Sequence, residues 1–269
     1  MGNKGKMSVC TFAYYVKAQR DLIKWEIEEH RVKFLHHVDW AIKNCVDPTG
    51  FNLLYMFRRE EIDYAMDKAA LSRRDDVYYS MGRRFVKFAI LCNYTDKPDC
   101  HYEIDDSQPN NEEPHLVARG TTALHHASRN PECDKRLVRS LFRIYQRWDV
   151  QYVDLFGSTH FQVACQFGLD DVVEAYLKLG RDPDEVARVT GDRPLSLAWG
   201  YNRPKVACAL QLQGADFRLA AKRTKERAMN EQEAGPSFVH QELTAEEDEL
   251  TDSRRTDRRQ RDIRGRQGP

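Results

Sequence analysis

The sequence predicts an all-α fold in which helical hairpins stack side by side into a solenoid. Three observations carry that reading. One eight-residue frame occurs three times, as Gly120-Thr121-Thr122-Ala123-Leu124-His125-His126-Ala127, Gly157-Ser158-Thr159-His160-Phe161-Gln162-Val163-Ala164 and Gly191-Asp192-Arg193-Pro194-Leu195-Ser196-Leu197-Ala198. Its glycines stand 37 and 34 residues apart, the length of a whole structural unit. Behind the second frame, Val172, Val173, Tyr176 and Leu177 recur at helical spacing, and Val206 and Leu210 repeat that pattern behind the third. Each such helix is closed by a turn, Gly180-Arg181-Asp182-Pro183-Asp184 and then Gly214-Ala215-Asp216.

Residues 8–94 form an N-terminal helical region. From 8 to 46 there is neither Pro nor Gly, and Phe12, Tyr15, Val16, Leu22, Ile23, Ile27, Phe34, Leu35, Val38, Ile42 and Cys45 recur at helical spacing. This predicts one amphipathic helix, or two with a bend, stopped by Asp47-Pro48-Thr49-Gly50. A second helix is expected from about 52 to 70 and a third from about 76 to 92. Gly50 and Gly82 precede Phe57 and Ala89 by the offset that separates Gly120 from Ala127. They mark either two eroded units of the same repeat or an all-α cap over the open apolar end of the stack, and the sequence leaves both open. His36 and His37 are neighbours in sequence and so face different directions on a helix, which argues against a joint metal site.

Residues 95–115 hold three prolines and many acids, and read as a long exposed loop, either a solvated linker or an acidic docking finger. The repeats follow over 116–220. After Ala127, the extra residues Arg129-Asn130-Pro131-Glu132-Cys133-Asp134 lengthen the turn between the helices of the first unit. Leu137, Val138, Leu141 and Phe142 then align with Val172, Val173, Tyr176 and Leu177.

Within each frame the residue types have mechanical reasons. Thr122 and Thr159 sit where a helix N-cap belongs, and His125 and Gln162, three residues on, can reach back to the loop. The third frame has Arg193 at the cap but keeps Pro194 at the first helical position. Leu124, Phe161 and Leu195 are expected in the stack, with Ala127, Ala164 and Ala198 small enough to let paired helices close up. His125 therefore reads as structural. This pattern resembles the ankyrin-repeat family, whose signature is T-P-L-H-x-A at a period of about 33 residues. The worn caps are similar to those of divergent insect- or virus-associated members. Some of these carry a C-terminal F-box-like segment, for which the polar tail here has no apolar counterpart.

The chain has 269 residues, 41% hydrophobic, with 42 basic and 42 acidic side chains and a formal net charge of zero. No global field favours nucleic acid or membrane. Seven scattered cysteines without a C-x-x-C pair argue against a disulfide framework and fit a reducing compartment. Cys92, Cys100 and His101 lack a fourth ligand at metal-site spacing, and no metal or cofactor is expected. Neither a signal peptide nor a membrane-length apolar run is expected, and Lys6 stands where a myristoylation motif wants Ser or Thr. The reading is an intracellular protein of the cytoplasm, with the nucleus as the alternative. Residues 221–269 form a charged tail expected to be disordered, ending in an arginine cluster at 252–266.

No motif of nucleotide binding, kinase, hydrolase or zinc-protease chemistry occurs, so no enzyme is expected. The ankyrin resemblance implies a non-enzymatic module, adaptor or masking inhibitor, that binds another protein through its loop tips and the face of its first helices. Carried onto this chain, those positions are Arg119, Thr121, Arg129 and Asn130 in the first unit. They are Leu155, Phe156, Ser158, Gln166 and Phe167 in the second, and Thr190, Asp192 and Tyr201 in the third. Phe156, Phe167 and Tyr201 are the expected aromatic anchors. The alternative is a nucleic-acid-associated factor that uses the arginine cluster.

Overall fold

A computed structural model describes residues 6–45, 47–49, 51–103 and 115–222. The expected loop at 104–114 and the tail from 223, with its arginine cluster, lie outside the described residues. The described residues up to Ala215 form one compact unit, and Asp216 begins a second. In the second, residues 217–222 are helical.

The first unit is mostly helical. The apolar run after Ser8 forms α1 (Val9–Asp21) and α2 (Glu28–Lys43), so the predicted amphipathic segment is two helices. The second predicted helix breaks into a short α3 (Leu53–Met56) and α4 (Arg59–Leu71). The break lies at Phe57, which is extended, and α4 starts where the Glu61 carboxylate accepts the Arg58 backbone N–H at 2.9 Å. Asp76 caps α5 (Val77–Leu91), which falls within the bounds expected for the third helix.

The repeats give α6 (Ala123–Arg129) with α7 (Lys135–Phe142), α8 (His160–Phe167) with α9 (Asp170–Lys178), and α10 (Pro194–Gly200) with α11 (Pro204–Leu212). Helices α4, α6, α8 and α10 pack successively in one layer, and α5 packs on α7 and α9 on α11 in the other. Leu124, Phe161 and Leu195 fall on consecutive helices of the first layer and are at most 2% exposed. Ala127, Ala164 and Ala198 are fully buried. Gly180 and Gly214 take φ of +79° and +96°, the left-handed turns that close α9 and α11.

Three readings are corrected. The fold is not purely helical: β1 (His101–Glu103), β2 (His115–Arg119) and β3 (Val150–Val153) form a sheet in that order. β2 is antiparallel to β1 and parallel to β3, with Leu116 opposite Val150 and Arg119 opposite Val153. The parallel partners are one repeat apart, so the strands are the tips of successive units. Asp96, assigned to an exposed acidic loop, is 3% exposed, because it accepts hydrogen bonds from Arg59 (2.8 Å) and the Tyr152 hydroxyl (2.9 Å). Gly82 does not start a unit. It lies inside α5, where a Cβ would stand 2.6 Å from the Ala69 backbone nitrogen, so α4 and α5 are the two helices of one tightly closed pair.

Candidate functional site

The expected site residues lie on the loops between β2 and α6, between β3 and α8 and ahead of α10, and on the strand and helices beside them. Arg119 ends β2, Arg129 ends α6, Gln166 and Phe167 end α8, and Tyr201 follows α10. Hydrogen bonds from the caps fix those loops. Thr122 donates its backbone N–H to His125 Nδ1 (3.1 Å), and His125 Nε2 then faces the Ser158 carbonyl at 3.1 Å. In the next unit, Thr159 and Gln162 make both bonds of a capping box (3.1 and 3.3 Å), and Gln162 Nε2 donates onward to the carbonyls of Glu185 and Asp192, each at 3.2 Å. Each cap partner thus closes its own helix and ties down the following loop. The third frame keeps half of the device: the Ser196 hydroxyl accepts the Arg193 backbone N–H at 2.9 Å.

Behind the loops lies a buried cluster that sequence reasoning missed. His160, where the first frame has Ala123, is 1% exposed and hydrogen-bonds the Thr122 hydroxyl through Nε2 at 2.7 Å. Its ring stacks on Tyr152 at 4.3 Å, and Tyr145 meets it edge-on. Burial pushes the His125 pKa down to about 3, with the Arg129 charge adding to the shift. Burial likewise holds the His160 pKa well below the usual histidine value. Burial raises the Asp154 and Glu185 carboxyls, against the pull of Arg129 on the first and of the Thr159 hydroxyl on the second. These are groups kept neutral, or neutralised by a partner, inside a packed seam.

The predicted positions divide. Arg119 is exposed; Thr121, Leu155, Ser158, Thr190 and Asp192 are half-buried along the loop edge, and Tyr201 is half-buried at the C-terminal end of α10. Phe156 and Phe167 are corrections, at 5% and 8% exposure. Asp154 Oδ1 accepts the backbone N–H groups of Phe156 (2.9 Å) and Ser158 (2.7 Å), which turns the chain inward, and the Arg129 guanidinium covers the Phe156 ring at 4.6 Å. Arg129 also pairs with Asp154, whose side chain is fully buried, so its charge is held inside. Gln166 donates to the Ser128 carbonyl at 2.7 Å, and Asn130 to the carbonyls of Ala70 (2.8 Å) and Ser72 (3.2 Å). These side chains serve the stack.

The structure supplies other exposed positions instead. Val189 is 63% exposed and Val186 41%, with Arg188 also exposed, on the loop between α9 and α10. The Val189 N–H donates to the Phe156 carbonyl at 3.1 Å, which fixes that loop against its neighbour. An aliphatic residue in a turn-rich segment carries no sequence signal, so Val189 could not be read in advance. Among the described residues, no group of three or more His, Cys, Asp or Glu side chains could hold a metal ion, and no helix is long and apolar enough to cross a membrane. No protein-family model matches the chain, and no curated protein matches it.

Proposed function

We infer that this chain is a non-enzymatic protein-binding module of the ankyrin-repeat kind, an adaptor or masking inhibitor. It would grip its partner along the edge formed by Arg119, Thr121, Ser158, Val189, Asp192 and Tyr201. The observation that carries the reading is the equivalence of His125 and Gln162. They sit 37 residues apart, each capping its own helix and each bonding the next loop. Tips pinned this way form a preorganised edge, which lowers the ordering cost of association. None of the seven cysteines forms a disulfide, in keeping with a reducing intracellular setting.

Phe156 is a poor probe of binding, because its removal would damage the fold. The test is a pull-down with the wild type against an Arg119→Glu, Val189→Asp, Tyr201→Ala variant whose melting temperature matches the wild type. Proteins captured by the wild type and lost by the variant are the expected result. Identical captures would remove the loop edge as the binding surface.

A further inference from the structure

The helix layer that holds α5 and α7 carries a different chemistry. α5 lies between α2 and α7, and neither α5 nor α7 contains an acidic residue. α5 contributes Arg83, Arg84 and Lys87; α7 contributes Lys135, Arg136 and Arg139, with Arg143 at its C-terminal cap. Three of these are engaged elsewhere: Arg84 with Asp39 of α2, Arg139 with Asp171 of α9, and Lys135 with the Gly168 carbonyl. Those contacts also orient the helices. Arg84 marks the α2 side of α5, so Arg83 leans toward α7. Lys135 and Arg139 mark the α9 side of α7, so Arg136 and Arg143 lean toward α5.

Arg83, Lys87, Arg136 and Arg143 therefore converge on one surface, and none makes an ion pair with a described residue. Arg83 is half-exposed and the other three are exposed. Ser80 and Ser140 lie on the same helix faces. Of the acids nearest in sequence, Asp76 and Asp134 cap the two helices, Glu132 pairs with Arg73, and Asp75 is exposed ahead of the α5 cap. In a chain of zero net charge this is segregated positive charge.

We propose that this outer face of α5 and α7 binds the phosphate backbone of double-stranded nucleic acid, independently of the loop edge. Composition decides between a polyanion and an acidic protein. Protein interfaces are anchored by central apolar or aromatic side chains. Here the exposed apolar residues of α5, Val77 and Leu91 at 52% each, stand at its two ends, and the middle is cation and hydroxyl. Arginine, lysine and serine are the side chains that contact phosphate oxygens, and arginine does so with a two-pronged donor. With no base-reading element on two flat helix faces, binding is expected to ignore sequence.

The test is fluorescence anisotropy with the full chain and a random-sequence DNA duplex. An Arg83→Gln, Lys87→Gln, Arg136→Gln, Arg143→Gln variant should bind about tenfold or more weaker, and a smaller loss overturns the proposal. A control with Arg254, Arg255, Arg258, Arg259, Arg261, Arg264 and Arg266 changed to Gln removes the contribution of the tail's arginine cluster. In that control background, log Kd should change with log salt with a slope of about 3.6 in magnitude, as four phosphate contacts require, and this reading stands even if the first variant misfolds. No duplex binding by the control, a slope near zero, or tighter binding to phosphatidylserine vesicles than to duplex would each overturn it.

Discussion

α4 and α5 continue the two layers of the repeat pairs, but the N-terminal helices and the repeat pairs are held by different forces. Between α1 and α5 the joints are aromatic and ionic. Phe12 meets Phe51, Phe57 and Phe88 with ring centroids 5.2–6.3 Å apart. The Glu61 side chain, 1% exposed, pairs with Arg20 at 2.5 Å, and Asp39 is held between Arg84 and Lys43. From α6 onward the recurring joints are neutral hydrogen bonds from a cap side chain to the next loop, beside the ion pairs Arg129–Asp154 and Arg139–Asp171. Stacking demands only a shared apolar spine, so chemistry at the rim is free to differ. Rim chemistry then decides whether a unit can be recognised and how it responds to mutation and to pH.

The largest expected effect falls on the aromatic side. Phe12 is fully buried, and Phe12→Ala should cost about 3–5 kcal/mol in urea unfolding, from lost transfer energy and a residual cavity. If the two regions form one cooperative unit, repeat-region probes will report the same midpoint shift. A shift confined to α1–α5 would separate them.

Next comes the buried ionic joint of the repeat half. Arg129→Ala leaves the buried Asp154 carboxylate without its partner and uncovers Phe156, at a cost of about 3 kcal/mol. Adding Asp154→Asn should restore part of that loss. Additive losses would show that the pair contributes nothing specific.

pH separates the halves at about 2 kcal/mol. His125 and His160 have folded pKa values below their unfolded value, so the unfolded chain takes up more protons in acid. Stability is complete above about pH 6.5 and is lost as pH falls toward the folded values, near 3 for His125. Two histidines neutral in the fold should cost about 2 kcal/mol between pH 6.5 and 5.5. Arg129, His126, Tyr145 and Tyr152 surround them, and the raised Asp154 and Glu185 carboxyls act in the opposite sense. A His125→Gln, His160→Gln variant with unchanged pH dependence in this window would refute the assignment.

This division also explains what could be read in advance. Thr122, His125, Thr159 and Gln162 were legible because a helix start demands particular side-chain acceptors at fixed spacing, whatever packs around it. Where apolar contact makes the joint, many residues serve equally and the spacing carries no register, so Gly82 resembled a unit start although it marks close approach to Ala69. Phe156 and Phe167 show the limit at the site. Position relative to a cap identifies the first-helix face, but not that Arg129 folds over the neighbouring loop and buries the ring. Asp96 shows the same limit for charge: its partners Arg59 and Tyr152 are remote in sequence.

The smallest effects lie at the seam between the halves, where two contacts from one turn can be compared. Asn130 donates to the Ala70 and Ser72 carbonyls at the end of α4, and its Oδ1 accepts the Glu132 N–H at 3.0 Å. Those groups are part-buried, so Asn130→Ala strands carbonyls that water reaches poorly, at about 1–2 kcal/mol. Arg73 pairs with Glu132 at 3.2 Å, but its side chain is 75% exposed. Side-chain entropy and screening offset the attraction, and Arg73→Ala should cost less than about 0.5 kcal/mol. Amide exchange sharpens the contrast: Asn130→Ala should speed exchange in α5 as well as α7 if backbone capping couples the halves, whereas Arg73→Ala should alter neither. The reverse order would mean that the halves are joined by surface charge, and that the cap bonds hold only their own units.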